Sequence, residues 1–322
     1  MSSDILNICT VTLGTDAKIV NENLIEFNKL YSNVHLHIVC PKNDVKIFKN
    51  LLFEKNYSII TEDEFIDFRA FKQIFEDLSK NLKFKNEFKK RLQWYYALFL
   101  KFFFVHKFFE NDYSKIVIWE GDSVILKKIN FFNKNNSNLY VYVDLYHKII
   151  YKTCKEMLGK LPIYYGSFIT MFGSITKNEF EYLNRSLGFA NFNNKEFCTA
   201  FSKKALSSIF KVHNVYDNAM FSDYDLIGIS NLNKNFTKQK PIFFLRSSLD
   251  GKLTELQKII AKKFGAHLVA YEHRHPNKHS RDMLTRDQSW YRFVKIIVYY
   301  FLLFKIYQIK FDLKFFFKKY KK

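Results

Sequence analysis

The sequence predicts an α/β protein: a Rossmann-type mixed sheet, mostly parallel, flanked by helices and followed by a basic amphipathic helical tail. Three observations lead there. Short β-branched apolar runs alternate with stretches of helical spacing through the N-terminal half. The 322 residues are 48% hydrophobic, enough for a sizeable core in one large domain. From about Trp290 the pattern changes to aliphatic and aromatic residues interrupted by Lys, ending FFFKKYKK. The expected division is residues 1–289 as the α/β domain and 290–322 as the tail.

Each element follows from its residues. Residues 8–13 (ICTVTL) are β-branched and apolar, a buried strand, and Gly14-Thr15-Asp16 turns the chain. Val20, Leu24, Phe27 and Leu30 fall on one side of a helix over residues 17–30. Residues 34–40 make a second strand, closed by Pro41-Lys42-Asn43-Asp44, and Tyr57-Ser58-Ile59-Ile60 follow a short helix. Residues from about 65 to 109 read as helical throughout. An apolar strand at 115–119 runs into Glu120-Gly121-Asp122 and a further apolar run to Leu126. Later strands are expected at 139–145, 242–245 and 267–271, with a helix near 178–187.

The formal net charge is +20, from 51 Lys+Arg against 31 Asp+Glu. Part of it reflects a general richness in Lys, Asn, Ile, Phe and Tyr. The remainder favours an anionic partner: nucleic acid, anionic lipid or a phosphorylated substrate. Cys9, Cys40, Cys154 and Cys198 are scattered without a CxxC pair. They read as buried reduced thiols rather than a disulfide frame or a zinc site. MSSDILNICTV is not a signal-peptide pattern, so the expected compartment is the reducing cytoplasm.

Two segments stand where an α/β sheet binds ligands, beyond strand C-termini. Thr12, Thr15 and Asp16 follow the first strand and could hold a base or ribose; an ordinary turn with a capping Asp is the plain alternative. Glu120 and Asp122 follow the 115–119 strand. Two carboxylates one residue apart project to the same side of an extended chain and can hold Mg²⁺ or Mn²⁺ against a diphosphate. The plain alternative is a solvated acidic turn.

Three stretches, in order, resemble the bacterial GT-A glycosyltransferases of lipopolysaccharide, lipooligosaccharide and capsule clusters. Residues 91–101 (RLQWYYALFLK) are similar to that family's W-x-x-Q-x-x-L-K helix. Residues 117–126 (VIWEGDSVIL) are similar to its apolar strand, D-x-D and T-V-F-L. Residues 221–228 (FSDYDLIG) are similar to its F-S-E-Y-E-L-Y-G segment. The chain departs from the pattern at Glu120, Ala97, Asp223 and Asp225. The resemblance implies a GT-A-like fold with 1–289 as the catalytic domain. It implies a transferase moving a sugar from a nucleotide-sugar donor to a lipooligosaccharide or other surface-glycan acceptor, and a divalent cation on Asp122 and Glu120. Asp223 and Asp225 then become candidates for the base that takes the acceptor's proton. In an extended segment both would face one way; at a helix start they would serve as caps. A late His also commonly reaches the metal in that family, which makes His273 and His275 candidates, with Arg274 and Lys278 on the diphosphate. Arg246 is a further phosphate candidate.

The tail's apolar run is about nine residues, well short of a membrane span. Its Lys and Phe content suits the plane of an anionic membrane surface, which places the protein on the inner face of the inner membrane. Truncation before Trp290 is then expected to release a soluble enzyme; the plain alternative is a helix packed on the α/β domain as core, whose removal unfolds the protein. Two rival classes remain. A basic nucleic-acid-binding protein has charge and aromatics in its favour, but the sequence carries no RNP, helix-turn-helix or zinc-finger pattern. A non-catalytic membrane-surface assembly protein explains the tail and leaves the paired carboxylates without a role.

Overall fold

In the computed structural model, Ile8 and Cys9 are adjacent on the first strand and neither has exposed surface. Ile8 enters one hydrophobic cluster and Cys9 another. A strand covered on both faces belongs inside a parallel sheet with helices above and below. The structure describes residues 5–52, 54–133, 136–142, 148–160, 166–212, 220–235, 239–246, 251–271 and 287–319.

The sheet has five strands in the order β3-β2-β1-β4-β9. They are β1 (Leu6–Val11), β2 (Val34–Cys40), β3 (Tyr57–Thr61), β4 (Lys115–Trp119) and β9 (Phe172–Thr176). The first four are parallel, with Ile8 opposite Leu36 on one side and Val117 on the other. β9 runs antiparallel to β4, Trp119 facing Phe172, so the sheet is mixed as expected. Chain order moves outward from β1 through β2 to β3, then returns to β1's other side with β4. Strand order reverses between β1 and β4, and this is where ligands enter such sheets.

Helices cover both faces. α1 (Ala17–Leu30) and α2 (Val45–Leu51) lie over one, with Val20, Leu24, Phe27 and Phe48 buried against Leu36, Ile38, Val117 and Trp119. The other face carries α3 (Phe68–Leu78), α4 (Lys85–Lys90) and α5 (Leu92–Glu110). The single helix expected over 65–109 is therefore three. Ser79 ends α3, and a turn closes with Leu82 N–H donating to Ser79 O at 3.0 Å. α5 is buried on nearly every side and is the central pillar of the aromatic cluster. Around it pack α6 (Lys148–Leu158), α7 (Lys177–Leu187), α8 (Asn194–Val212) and α9 (Asp223–Asn235).

A smaller layer extends β4. β5 (Ser123–Ile125) pairs antiparallel with β11 (Leu268–Ala270). The run expected as a strand at 139–145 contributes only β8 (Tyr140–Val141), paired with β10 (Lys240–Pro241); residues 143–147 are outside the described set. β6 (Phe132–Asn133) and β7 (Asn136–Ser137) form a short hairpin. A third cluster joins Val124, Leu126, Val269 and Tyr271 to α10 (Glu255–Lys263) and α11 (Trp290–Lys319). In it Phe293, Ile296 and Ile297 of α11 are 0%, 6% and 2% exposed. The expected boundary at Trp290 thus separates α11 from a core it helps to build.

Candidate active site

Beyond β1, Thr12 is buried and its hydroxyl donates to Asp16 Oδ2 at 2.6 Å. Thr15 is exposed. Gly14 N–H donates to Asp44 Oδ2 at 2.7 Å, which ties the turn after β1 to the turn after β2. Beyond β4, Glu120-Gly121-Asp122 forms a tight turn: Ser123 N–H donates to Glu120 O at 3.1 Å. Glu120 N–H donates to Met171 O at 3.0 Å, and Met171 sits in the left-handed region, φ 64°, which a bulky side chain rarely adopts. Asp122 O accepts from Tyr271 N–H at 3.0 Å, so the acidic turn is pinned from β9's side and from β11's.

The two turns touch. A Cβ added to Gly121 would lie 2.4 Å from Thr12 Oγ1, closer than any side chain tolerates. Glycine is required here because two loops meet backbone to side chain at the strand-order reversal. Thr12 and Asp16 therefore stand directly beside Glu120 and Asp122.

The 221–228 segment arrives from the far side of the chain. It starts α9, and Ser222 Oγ accepts from Asp225 N–H at 3.1 Å as the helix cap. The extended alternative, with both acids facing one way, does not hold. One turn of helix sends the acids to different partners. Asp225 accepts from Phe168 N–H at 2.9 Å and from Ser167 Oγ at 3.2 and 3.3 Å. Burial raises its pKa to about 6, against the lowering effect of those donors. Asp223 turns the other way, with Oδ2 2.9 Å from Lys101 Nζ.

Lys101 organises this centre. Its Nζ is 2.5 Å from Glu120 Oε1 and 3.2 Å from the Tyr224 hydroxyl, with the ammonium 4.6 Å from that ring's centre. The Tyr224 hydroxyl donates to the same Glu120 Oε1 at 2.8 Å. Side-chain exposure is 2% for Lys101, 3% for Asp223 and 26% for Glu120. Burial acts to lower the Lys101 pKa, but Asp223 and Glu120 outweigh it and the net direction is upward. Burial raises the Asp223 pKa and the Lys101 charge opposes that rise; the net direction is again upward. Burial, then the Glu120 charge, pushes the Tyr224 hydroxyl up, so it remains a donor.

The predicted residues thus fall into three groups. Thr12, Asp16, Glu120 and Asp122 gather at the strand-order reversal, and Asp223 joins Glu120 through Lys101. Asp225 is buried on Ser167 and Phe168, and Arg246 lies half-buried one residue past the Leu245 bridge to Val269. His273 and His275, with Arg274 and Lys278, lie outside the described residues. Among the described residues no three His, Cys, Asp or Glu side chains converge as a metal-ligand set. Lys101 and Tyr224 lie inside the 91–101 and 221–228 segments, where the motifs alone point to no role for either. The signal was present: Lys101 interrupts LFLKFFFV, and a charge in such a run needs a buried counter-charge.

No protein-family model matches this chain, and no curated protein matches it either. Solved structures similar to it include mouse xyloside xylosyltransferase 1 in its apo form. That match has a TM-score of 0.41 at 10% identity, over 84% of this chain and 99% of that one. Another is the galactosyltransferase LgtC in complex with donor and acceptor sugar analogs. Its TM-score is 0.42 at 11% identity, over 91% of this chain and 95% of that one.

Proposed function

We infer that the protein is a GT-A-type glycosyltransferase that transfers a sugar from a nucleotide donor to a glycolipid acceptor such as lipooligosaccharide. One observation carries the reading. Three segments far apart in sequence, at Lys101, Glu120–Asp122 and Asp223–Tyr224, meet in one cluster beside the crevice where strand order reverses. They are the same three segments that resemble the glycosyltransferase motifs.

In this reading the nucleotide lies over Thr12 and Asp16, and the diphosphate faces the acidic turn. Asp122 is half-buried there, and Glu120 keeps a quarter of its side chain exposed. Both described side-chain contacts of Glu120 fall on Oε1, and Oε2, two residues from the half-buried Asp122, is an oxygen suited to a hard divalent cation. Bound there, Mg²⁺ or Mn²⁺ would neutralise charge on the departing nucleoside diphosphate. Asp223 lies nearest this centre among the candidate bases, but its buried ion pair with Lys101 suits charge balance better than proton transfer.

α11 supports a membrane-embedded acceptor. Its inner face is core, while Tyr291, Val294, Tyr299, Leu302 and Ile309 on other faces are exposed among Lys295, Lys305 and Lys310. No helix among the described residues is long and apolar enough to cross a membrane. This face suits in-plane attachment to an anionic cytoplasmic leaflet, beside a membrane-embedded acceptor.

Thermal shift with UDP-, GDP-, CMP- and dTDP-sugars tests the donor reading, because a ligand that binds only the folded state raises the melting temperature. One donor class should raise it. No shift with any donor, with and without Mn²⁺, would exclude the assignment.

A further inference from the structure

Lys101 pairs with two carboxylates at once, and they differ in what they reach. Asp223 is as buried as the lysine, whereas Glu120 is the member of the group with exposed surface. The ammonium itself has almost none, so it cannot touch a bound donor without a rearrangement of α5. Tyr224 repeats the pattern from α9: its hydroxyl donates to the Glu120 oxygen that Lys101 also holds, and its ring packs against the ammonium. The ring lies over Gly173, where an added Cβ would stand 3.1 Å from it.

We propose that Lys101 and Tyr224 are positioning residues that hold Glu120 Oε1, so that Oε2 is presented at a fixed place for the divalent cation that accompanies the donor's diphosphate. The inference rests on the glycosyltransferase reading and adds a reason why position 120 is Glu. Two helices, α5 and α9, grip one oxygen at the end of β4. Aspartate is shorter by one C–C bond, about 1.5 Å, and cannot keep both contacts from the same backbone. A glutamate with free rotamers would lose orientation each time a donor bound; a clamped one is already arranged.

The test measures donor affinity by calorimetry, and melting temperature, using the nucleotide sugar that most stabilises the wild type. Lys101→Met should lower the melting temperature, because Glu120 and Asp223 are left close together without a cation. The charge-balanced pair Lys101→Met with Asp223→Asn should recover most of that loss while affinity stays about tenfold or more below wild type. Wild-type affinity in the pair would reduce Lys101 to a counter-ion for Asp223 and overturn the proposal. Tyr224→Phe should keep the melting temperature and lose about three- to tenfold in affinity. Glu120→Asp should lose at least as much. If neither Lys101 variant folds, these two decide: wild-type affinity in both overturns the clamp. A wild type that binds none of the nucleotide sugars overturns the donor reading and this inference with it.

Discussion

Asp122 and Asp225 are both acids near the same centre, and their surroundings differ. Asp122 contributes its backbone oxygen to the fold, through Tyr271 N–H, and has part of its side chain at the surface. Asp122→Asn preserves the backbone bond and removes the charge. It is expected to abolish transfer while leaving the melting temperature within a degree or two of wild type. A folded Asp122→Asn enzyme with full turnover would remove the acidic turn from the mechanism. Asp225 instead spends its carboxylate on Phe168 N–H and Ser167 Oγ in a fully covered site. Its folded pKa of about 6 lies above the ordinary aspartate value of 3.8, so the folded state holds a proton more tightly than the unfolded chain. Stability from this group therefore falls as pH rises from about 4 to about 6, and the penalty is complete above that. It amounts to roughly 3 kcal/mol at most. Asp225→Asn keeps the acceptor oxygen and removes the titration. Relative to this variant, the wild type should gain stability between pH 7 and pH 5. A stability difference that stays constant over that range would show that Asp225 does not titrate there.

At the scale of elements, α11 is the part whose outcome differs most from the sequence expectation. Phe293, Ile296 and Ile297 are buried against Val124, Leu126, Val269 and Tyr271, on the β5–β11 layer that extends from Asp122. Removing all residues from Trp290 strips three core side chains, each contributing about 1.5–3 kcal/mol by burial. That truncation should unfold or strongly destabilise the protein, rather than release a working soluble enzyme. A cut after Phe304 spares these side chains. It should keep the melting temperature, keep turnover on short free acceptors, and weaken attachment to vesicles. Comparing the two truncations by melting temperature and vesicle sedimentation separates the helix's two roles. Equal stability in both would mean that α11 contributes nothing to the core.

For the molecule as a whole, the net charge of +20 is a statement about partners rather than fold. If α11 lies on an anionic bilayer, binding should be strong to vesicles containing anionic lipid and weak to neutral ones. It should also fall as salt rises, because the screening length shrinks from about 10 Å at 0.1 M to about 3 Å at 1 M. Binding that ignores both salt and lipid charge would assign the exposed apolar face to a different occupant.

The sequence by itself determined the strand-helix alternation, the mixed sheet and the positions of the two turns beyond β1 and β4. It could do so because periodic burial and strand-end chemistry are local properties, readable over about ten residues. It also held the three segments that meet at the site. It did not determine that they meet, nor what they do on meeting. Asp223 and Asp225 look equivalent along the chain, yet one turn of helix sends the first to Lys101 and the second to Ser167. Lys101 and Glu120 are 19 residues apart, and Tyr224 is 104 from Glu120. The tail read as separate because its pattern changes at Trp290; only the packing of Phe293, Ile296 and Ile297 made its inner face core. A charge's counter-ion and a helix's buried face depend on what else occupies the same space. Tertiary contact decided those, because burial removes water as the alternative partner and leaves each group only the neighbours that the fold supplies.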